Sequence, residues 1–360
     1  IVAWSARDAG PLASGSLAVG WLALVPVGIW GAAVKPDLLA VALTLGGVAL
    51  LERSRGGGTG AVAAGALLAL ALWTKPTAAL PALAVFVWTL FAARPAFAPG
   101  VAGFSVIAAI GVAYAAVIGP VDLWRHVVVW NALPWSLEQA VLVLVLATGT
   151  VGILVVAAAR AGAARGIALA YLAGASGVVL LAGREGATIN YLLDLGAATM
   201  FALARVAPRS RLSGGSPLAA TVQLVVAVAL LAPFGIVPGR EPSTGAWGRP
   251  ERLEVVQALG PGEHLVEDSG LMIAAGREPV LDDLFLWHSL SRQRSIDGSG
   301  ILDRVRRGEL ASIVSETDLA QIDSAPAYER ARWHPGLVAL ILERYRLERS
   351  TGGLWVYRPR

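Results

Sequence analysis

PGVAGFSVIAAIGVAYAAVIG, residues Pro99–Gly119, runs for 21 positions without one charged side chain. A hydrocarbon layer about 30 Å thick takes roughly 20 mostly apolar helical residues, so this stretch reads as a membrane-crossing helix. Similar stretches recur on both sides of it: Ser14–Val34, Asp37–Leu51, Gly60–Trp73, Ala78–Ala93, Gln139–Ala159, Gly166–Gly183, Asn190–Ala204 and Leu218–Val237. Asp37–Leu51 and Gly60–Trp73 are the short ones. The expected fold is thus mainly α, a polytopic bundle of about nine transmembrane helices. Proline and glycine inside such spans are tolerated, because neighbouring helices satisfy freed backbone groups and small residues allow close packing.

The charge density changes abruptly along the chain. Ile1 to Val237 hold 13 Lys+Arg and 7 Asp+Glu, whereas Pro238 to Arg360 hold 16 and 18. Two solvents are implied, a bilayer for residues 1–237 and water for 251–360, joined by a Gly-, Pro- and Ser-rich linker at 238–250. The net positive charge comes from the first region and describes membrane loops, so nucleic acid is excluded as a partner. Alternate loops differ in basic residues. Arg7, Arg53, Arg55, Arg94, Arg160, Arg165, Arg205, Arg209 and Arg211 fall on one side, Lys35, Lys75, Arg125 and Arg184 on the other. The richer side is cytoplasmic by the positive-inside rule, which leaves the C-terminal domain outside an inner (plasma) membrane. No cysteine is present, so disulfides and thiol catalysis are excluded. The opening Ile1-Val2-Ala3-Trp4 reads like a helix already under way, and an N-terminally truncated chain is the expectation.

The last third alternates as a small α/β domain. Helices are expected at Leu253–Leu259, Leu271–Ala275, Ile301–Arg307 and Leu337–Glu343, and strands at His264–Glu267 and Ala311–Ser315. Tyr345–Glu348 and Leu354–Tyr357 flank Ser350-Thr351-Gly352-Gly353 as a closing hairpin.

Only two lysines occur in the chain, and each precedes a proline at a helix end: Lys35-Pro36-Asp37 and Thr74-Lys75-Pro76-Thr77. Proline at a first turn marks a helix start. A lysine there adds its charge to the positive dipole end and makes an anion site suited to phosphate, although a snorkelling interfacial lysine reads from the same residues. Asn190-Tyr191-Leu192-Leu193-Asp194 follows the charged loop Arg184-Glu185. Asn190 and Asp194, four apart, are expected on one helix face, with Tyr191 beside it. A carboxylate one turn inside a membrane is costly and faces either a partner helix or a wet cavity. The connection Pro120–Glu138 carries Trp124, His126, Trp130, Asn131 and Trp135, which suits a helix lying in the interface. Four scattered histidines give no metal-ligand spacing, and no nucleotide loop or nucleophile motif is present.

Ala33-Val34-Lys35-Pro36-Asp37, Trp73-Thr74-Lys75-Pro76-Thr77-Ala78 and Asn190-Tyr191-Leu192-Leu193-Asp194 together resemble the membrane half of GT-C glycosyltransferases, in the dolichyl-phosphate-mannose protein mannosyltransferase-like branch. His264–Asp268, Ala275–Val280 and Leu281-Asp282-Asp283 resemble the extracytoplasmic tail of bacterial members. The resemblance implies transfer of a sugar from a polyprenyl-phosphate donor to a glycan, lipid or protein acceptor on the outer side. It makes Asp37 the candidate acid, Lys35, Lys75 and Arg184 the phosphate holders, and Asn190, Tyr191, Asp194, His126 and Asn131 the substrate-facing wall. In that branch the principal acidic residues lie in the first outer loop, before Ile1 if the chain is truncated. No cofactor is required by the sequence, and a divalent metal beside the donor phosphate is compatible with the resemblance. Two rivals stay open: a secondary transporter, although no inverted repeat is found, and a non-catalytic membrane-anchored binding module.

Overall fold

The structure, a computed structural model, describes residues 11–206 except 23, 25, 28–35, 130 and 188, and residues 250–360 except 326. These form two compact units, 11–127 with 133–206, and 128–132 with 250–360. The described residues are mainly helical, with one small sheet.

The first unit is a helical bundle: α1 (Pro11–Leu22), α2 (Asp37–Arg53), α3 (Thr59–Thr74), α4 (Ala79–Ala92), α5 (Arg94–Ile118), α6 (Leu137–Ala147), α7 (Ile153–Arg160), α8 (Ile167–Leu181) and α9 (Leu193–Val206). Helix α2 starts directly after Pro36, with Asp37 in its first turn and Arg53 in its last, each charge opposed to the dipole end it meets. Helix α3 packs against both α2 and α5, and α8 packs against α4 and α9. The α3–α5 approach depends on small residues. A Cβ on Gly65 would lie 1.8 Å from the Gly100 carbonyl oxygen, and one on Gly103 would lie 2.0 Å from that of Val62. Val48, Ala64, Leu68, Tyr171, Leu193 and Phe201 are buried in the shared core. Helices α6 and α7 are separated by a π-helical turn, Thr148–Gly152, and the pair bends by 59° there. An inserted residue in the hydrogen-bond ladder is an identifiable cause of such a kink.

Among the described residues one helix, α5, is long and apolar enough to cross a membrane; the bent pair α6–α7 makes a second if taken as one span. The other apolar helices are shorter. Helix α3 stops at Thr74 because Pro76 removes an amide donor, and a 3-10 turn, Pro76–Ala78, intervenes before α4. Nine crossings of full length are thus not what the described helices provide, and the ninth expected span, Leu218–Val237, lies outside the described residues together with the linker. The expected interfacial helix is a short piece, Pro120–Trp124, followed by a π-helical turn, Arg125–Val129, with Trp124 exposed. Asn190 and Asp194 do not share one helix: Ile189–Leu192 is a 3-10 turn, and α9 begins at Leu193.

The second unit contains α10 (Pro250–Gln257), β1 (His264–Val266), α11 (Ser269–Ala274), α12 (Leu284–Arg292), α13 (Ser299–Arg306), β2 (Ser312–Ser315), α14 (Pro335–Arg344), β3 (Tyr345–Thr351) and β4 (Leu354–Pro359). The strand order is β1-β2-β4-β3. β1 and β2 are parallel, with His264 opposite Ser312 and Val266 opposite Val314, while β4 runs antiparallel to both β2 and β3. Gly352 and Gly353 both take positive φ in the two-residue turn between β3 and β4, which only glycine adopts without strain. β1 and β2 are buried along their length, with one apolar cluster around Leu265, Trp287, Ile313 and Leu337 and another around Val256, Val266 and Val314. Helix α12 was absent from the sequence-based expectation, yet Asp283 caps it by accepting from the Leu286 amide at 2.9 Å.

Candidate functional site

Three elements bring polar side chains to one point in the first unit. Asp37 opens α2, Lys75 sits between α3 and the turn that follows it, and Asn190 lies in the 3-10 turn before α9. The Lys75 ammonium and the Asn190 amide both donate to Oδ1 of Asp37, the latter at 2.7 Å. These partners are separated by 38 and 153 positions in the chain. Asp37 is 5% exposed. Its position at a helix N-terminus adds the dipole to the donors that hold its charge. Neither bond uses Oδ2.

The Lys75 ammonium also lies 4.9 Å from the ring centre of Tyr191, a cation–π contact. Arg184 is within electrostatic reach of Tyr191, as is Asp37. Asp194, one turn into the core, feels both Lys75 and Asp37. It is buried beside Tyr171, whose hydroxyl is buried with it. Thr77 Oγ1, two residues after Lys75, is buried without a hydrogen-bond partner.

Arg184 is placed by a pairing of two connections. Trp135 and Arg184 form an isolated antiparallel bridge. The Ser136 amide donates to the Gly183 carbonyl at 2.8 Å, and the Glu185 amide donates to the Pro134 carbonyl at 2.9 Å. The Trp135 indole donates to the Leu180 carbonyl at 3.0 Å, and the Gln139 side chain donates to the Ala187 carbonyl at 2.8 Å. The indole lies where a side chain at 183 would stand: a Cβ there would be 2.2 Å from its Nε1.

Of the expected site residues, Asp37, Lys75, Asn190 and Tyr191 are in contact, with Asp194 and Arg184 coupled to them. Lys35 lies outside the described residues. His126 sits in the π-helical turn. Asn131 is exposed and falls in the 128–132 segment, which groups with the second unit. The sequence reading placed a phosphate-holding lysine at a helix N-terminus; in the structure the charge of Lys75 is met by Asp37. Among the described residues no group of three or more His, Cys, Asp or Glu is arranged to hold a metal ion. Tyr171 was missed, because a single tyrosine in the apolar run of α8 looks like packing; the indole of Trp135 was noted only as an interfacial residue.

The arrangement offers a carboxylate held by two donors through one oxygen, an ammonium able to exchange one anion for another, and a guanidinium tied to a braced loop. Comparisons with protein-family models, with curated proteins and with solved structures find no match to this chain.

Proposed function

We propose that the chain is a membrane glycosyltransferase of the GT-C type, moving a sugar from a polyprenyl-phosphate donor to an acceptor at the outer face of the membrane. The observation that carries this reading is the convergence of Lys75 and Asn190 on Asp37 from distant parts of the chain. Transfer from a lipid phosphate needs a base for the acceptor and cations for the departing phosphate. The acceptor hydroxyl forms its bond to the anomeric carbon as the bond from that carbon to the phosphate oxygen breaks. Its proton passes to Asp37, and the electron pair leaves with the polyprenyl phosphate. Protonation of Asp37 removes the charge that holds Lys75, so the ammonium is released toward the phosphate at the moment the phosphate gains its charge. The ion pair is on this reading the resting position of the phosphate holder, with Arg184 as the second cation.

Membrane placement is supported by the length and apolarity of α5 and by the side chains it turns outward, among them Ile110, Tyr114 and Val117. A large exposed apolar surface marks contact with lipid or another protein. The full set of about nine spans, the inner-membrane location and an outer C-terminal domain belong to the same proposal.

The test is transfer of radiolabelled sugar from a polyprenyl-phosphate donor by the protein in proteoliposomes. Asp37→Asn is expected to lower kcat by about 100-fold or more, the usual scale for a lost general base. A parent protein that transfers nothing from any such donor defeats the proposal. A transporter is the second reading, favoured by an ion pair and a further buried carboxylate, Asp194, among apolar helices; ion-coupled uptake into the same vesicles without transfer identifies it.

A further inference from the structure

We infer that Trp135 is a positioning residue: it locks the loop 183–187 and with it Arg184, the cation of this loop, which is coupled to Tyr191 and through it to the Asp37–Lys75–Asn190 group. Trp135 touches none of those residues in hydrogen-bonding or ring contact, so its effect runs through Arg184. The inference rests on the transferase reading only where kinetics are used to test it.

The geometry is over-determined in a way that a tryptophan floating at a membrane boundary is not. Interfacial tryptophans need one apolar side and one wet side, with no fixed partner. This indole donates to the Leu180 carbonyl at the end of α8, and its own backbone bridges Arg184. Its ring fills the space left by the missing side chain of Gly183, and two backbone bonds, Ser136 to Gly183 and Glu185 to Pro134, close the pairing on either side. Two irregular connections are thereby joined as a short two-stranded piece. A loop with few buried apolar contacts opens easily unless such bonds hold it. Here the held residue carries a guanidinium within electrostatic reach of Tyr191, whose ring meets the Lys75 ammonium. A precise position matters because a binding group that is misplaced loses part of its interaction with the donor while the reacting groups stay in place.

Two measurements test this in the whole protein. The chain has no cysteine, so Glu185→Cys introduces a single thiol on the loop. Its labelling by a membrane-impermeant maleimide is expected to speed up about fivefold or more when Trp135→Ala is added, since a lost local bond network raises the open population. Gly183→Ala, which puts a methyl group into the indole, is expected to act in the same direction. Labelling that stays within about twofold in both variants overturns the inference, whether or not the protein is a transferase. The kinetic arm uses a polyprenyl-phosphate sugar as donor. Trp135→Ala is expected to raise the donor KM about tenfold, with kcat within about twofold, because a binding contact is misplaced while the base is intact. In an Arg184→Ala background the same substitution is expected to change the donor KM little, and Trp135→Phe, which keeps ring packing against Gly183, to restore part of the loss. A full additional loss in the Arg184→Ala background means that Trp135 acts by itself and overturns the positioning role. If the parent transfers nothing, the transferase reading fails and the labelling result alone decides the inference.

Discussion

Replacing Lys75 by methionine keeps the stem and removes the ammonium, and the structure fixes what that should cost. The lysine side chain is 17% exposed and its carboxylate partner 7%, so the charge left on Asp37 is shielded from water. Asn190 still donates to the carboxylate, but an amide does not neutralise it. Removing one member of a buried ion pair typically costs about 3–5 kcal/mol, because the remaining charge stays uncompensated. Removing both charges together, with Asp37→Asn and Lys75→Met, leaves nothing stranded. The double variant is expected within about 1 kcal/mol of the parent, as replacing a buried pair by neutral groups is often near neutral. The coupling between the two positions is then on the order of 2 kcal/mol or more. Unfolding of the four proteins of the cycle, followed in lipid nanodiscs by denaturant, measures it. Single losses that simply add in the double variant, within about 0.5 kcal/mol, would refute the pairing. The same four proteins separate stability from chemistry. A stable double variant that transfers sugar more slowly than Asp37→Asn alone supports a phosphate role for Lys75, whereas equal transfer by the two removes that role.

Other consequences follow from different parts of the chain. Gly65→Ala should destabilise the first unit by about 1–3 kcal/mol despite the better helix propensity of alanine, because the new methyl meets the Gly100 backbone at 1.8 Å; Gly177→Ala, with its nearest contact at 3.4 Å, should be neutral or slightly stabilising in the same unfolding assay. His264 is buried between Ser312 Oγ at 2.7 Å and the Gly260 carbonyl at 3.0 Å, and burial, with Arg277 and Arg358 nearby, lowers its pKa from 6.5. The neutral ring is therefore the folded form, so the contribution is complete above pH 6.5 and is lost as pH falls from there through the lowered folded value. Hydrogen exchange of β1 and β2, corrected for intrinsic rates, should show protection falling by up to about 1.4 kcal/mol per pH unit in that window, and His264→Asn should remove this slope. An alkaline phosphatase fused after Arg360 should be active if the basic-residue asymmetry sets the orientation; an inactive fusion beside an active cytoplasmic reporter at the same place would reverse the topology.

How far the sequence could be read depended on whether a feature was local. Helix starts were legible because they carry their own chemistry. Pro36-Asp37 and Pro76 are punctuation that acts within one turn, and the observed starts of α2 and of the turn before α4 fall on them. The strands β1 and β2 and the Gly352-Gly353 hairpin were readable for the same reason, through short apolar runs and a glycine turn; the parallel pairing of the two strands was not. The 3-10 turn at Ile189–Leu192 was not readable, since its residues would suit an α-helix and only their tertiary contacts decide between the two. The cluster itself was signalled indirectly. Arginine serves as the cation everywhere else, so the two Lys-Pro sites stood out, and a lysine is the cation that can leave a carboxylate most simply, being a compact charge on a flexible stem. What no local pattern carried was the partner. Nothing near Lys75 in sequence says that its counter-ion is Asp37 or that an amide 153 positions beyond Asp37 completes the set. That pairing changes the chemistry assigned to the lysine, from a standing anion site to a charge held in reserve. If so, the strength of the resting pair must be tuned: a tighter Asp37–Lys75 contact would stabilise the fold and slow the release of the ammonium. Lys75→Arg tests the balance. Its planar fork can hold one carboxylate through two parallel bonds, so the variant should unfold later than the parent and transfer sugar more slowly. A variant that gains stability with no loss of kcat would mean that release of the cation is not part of the reaction.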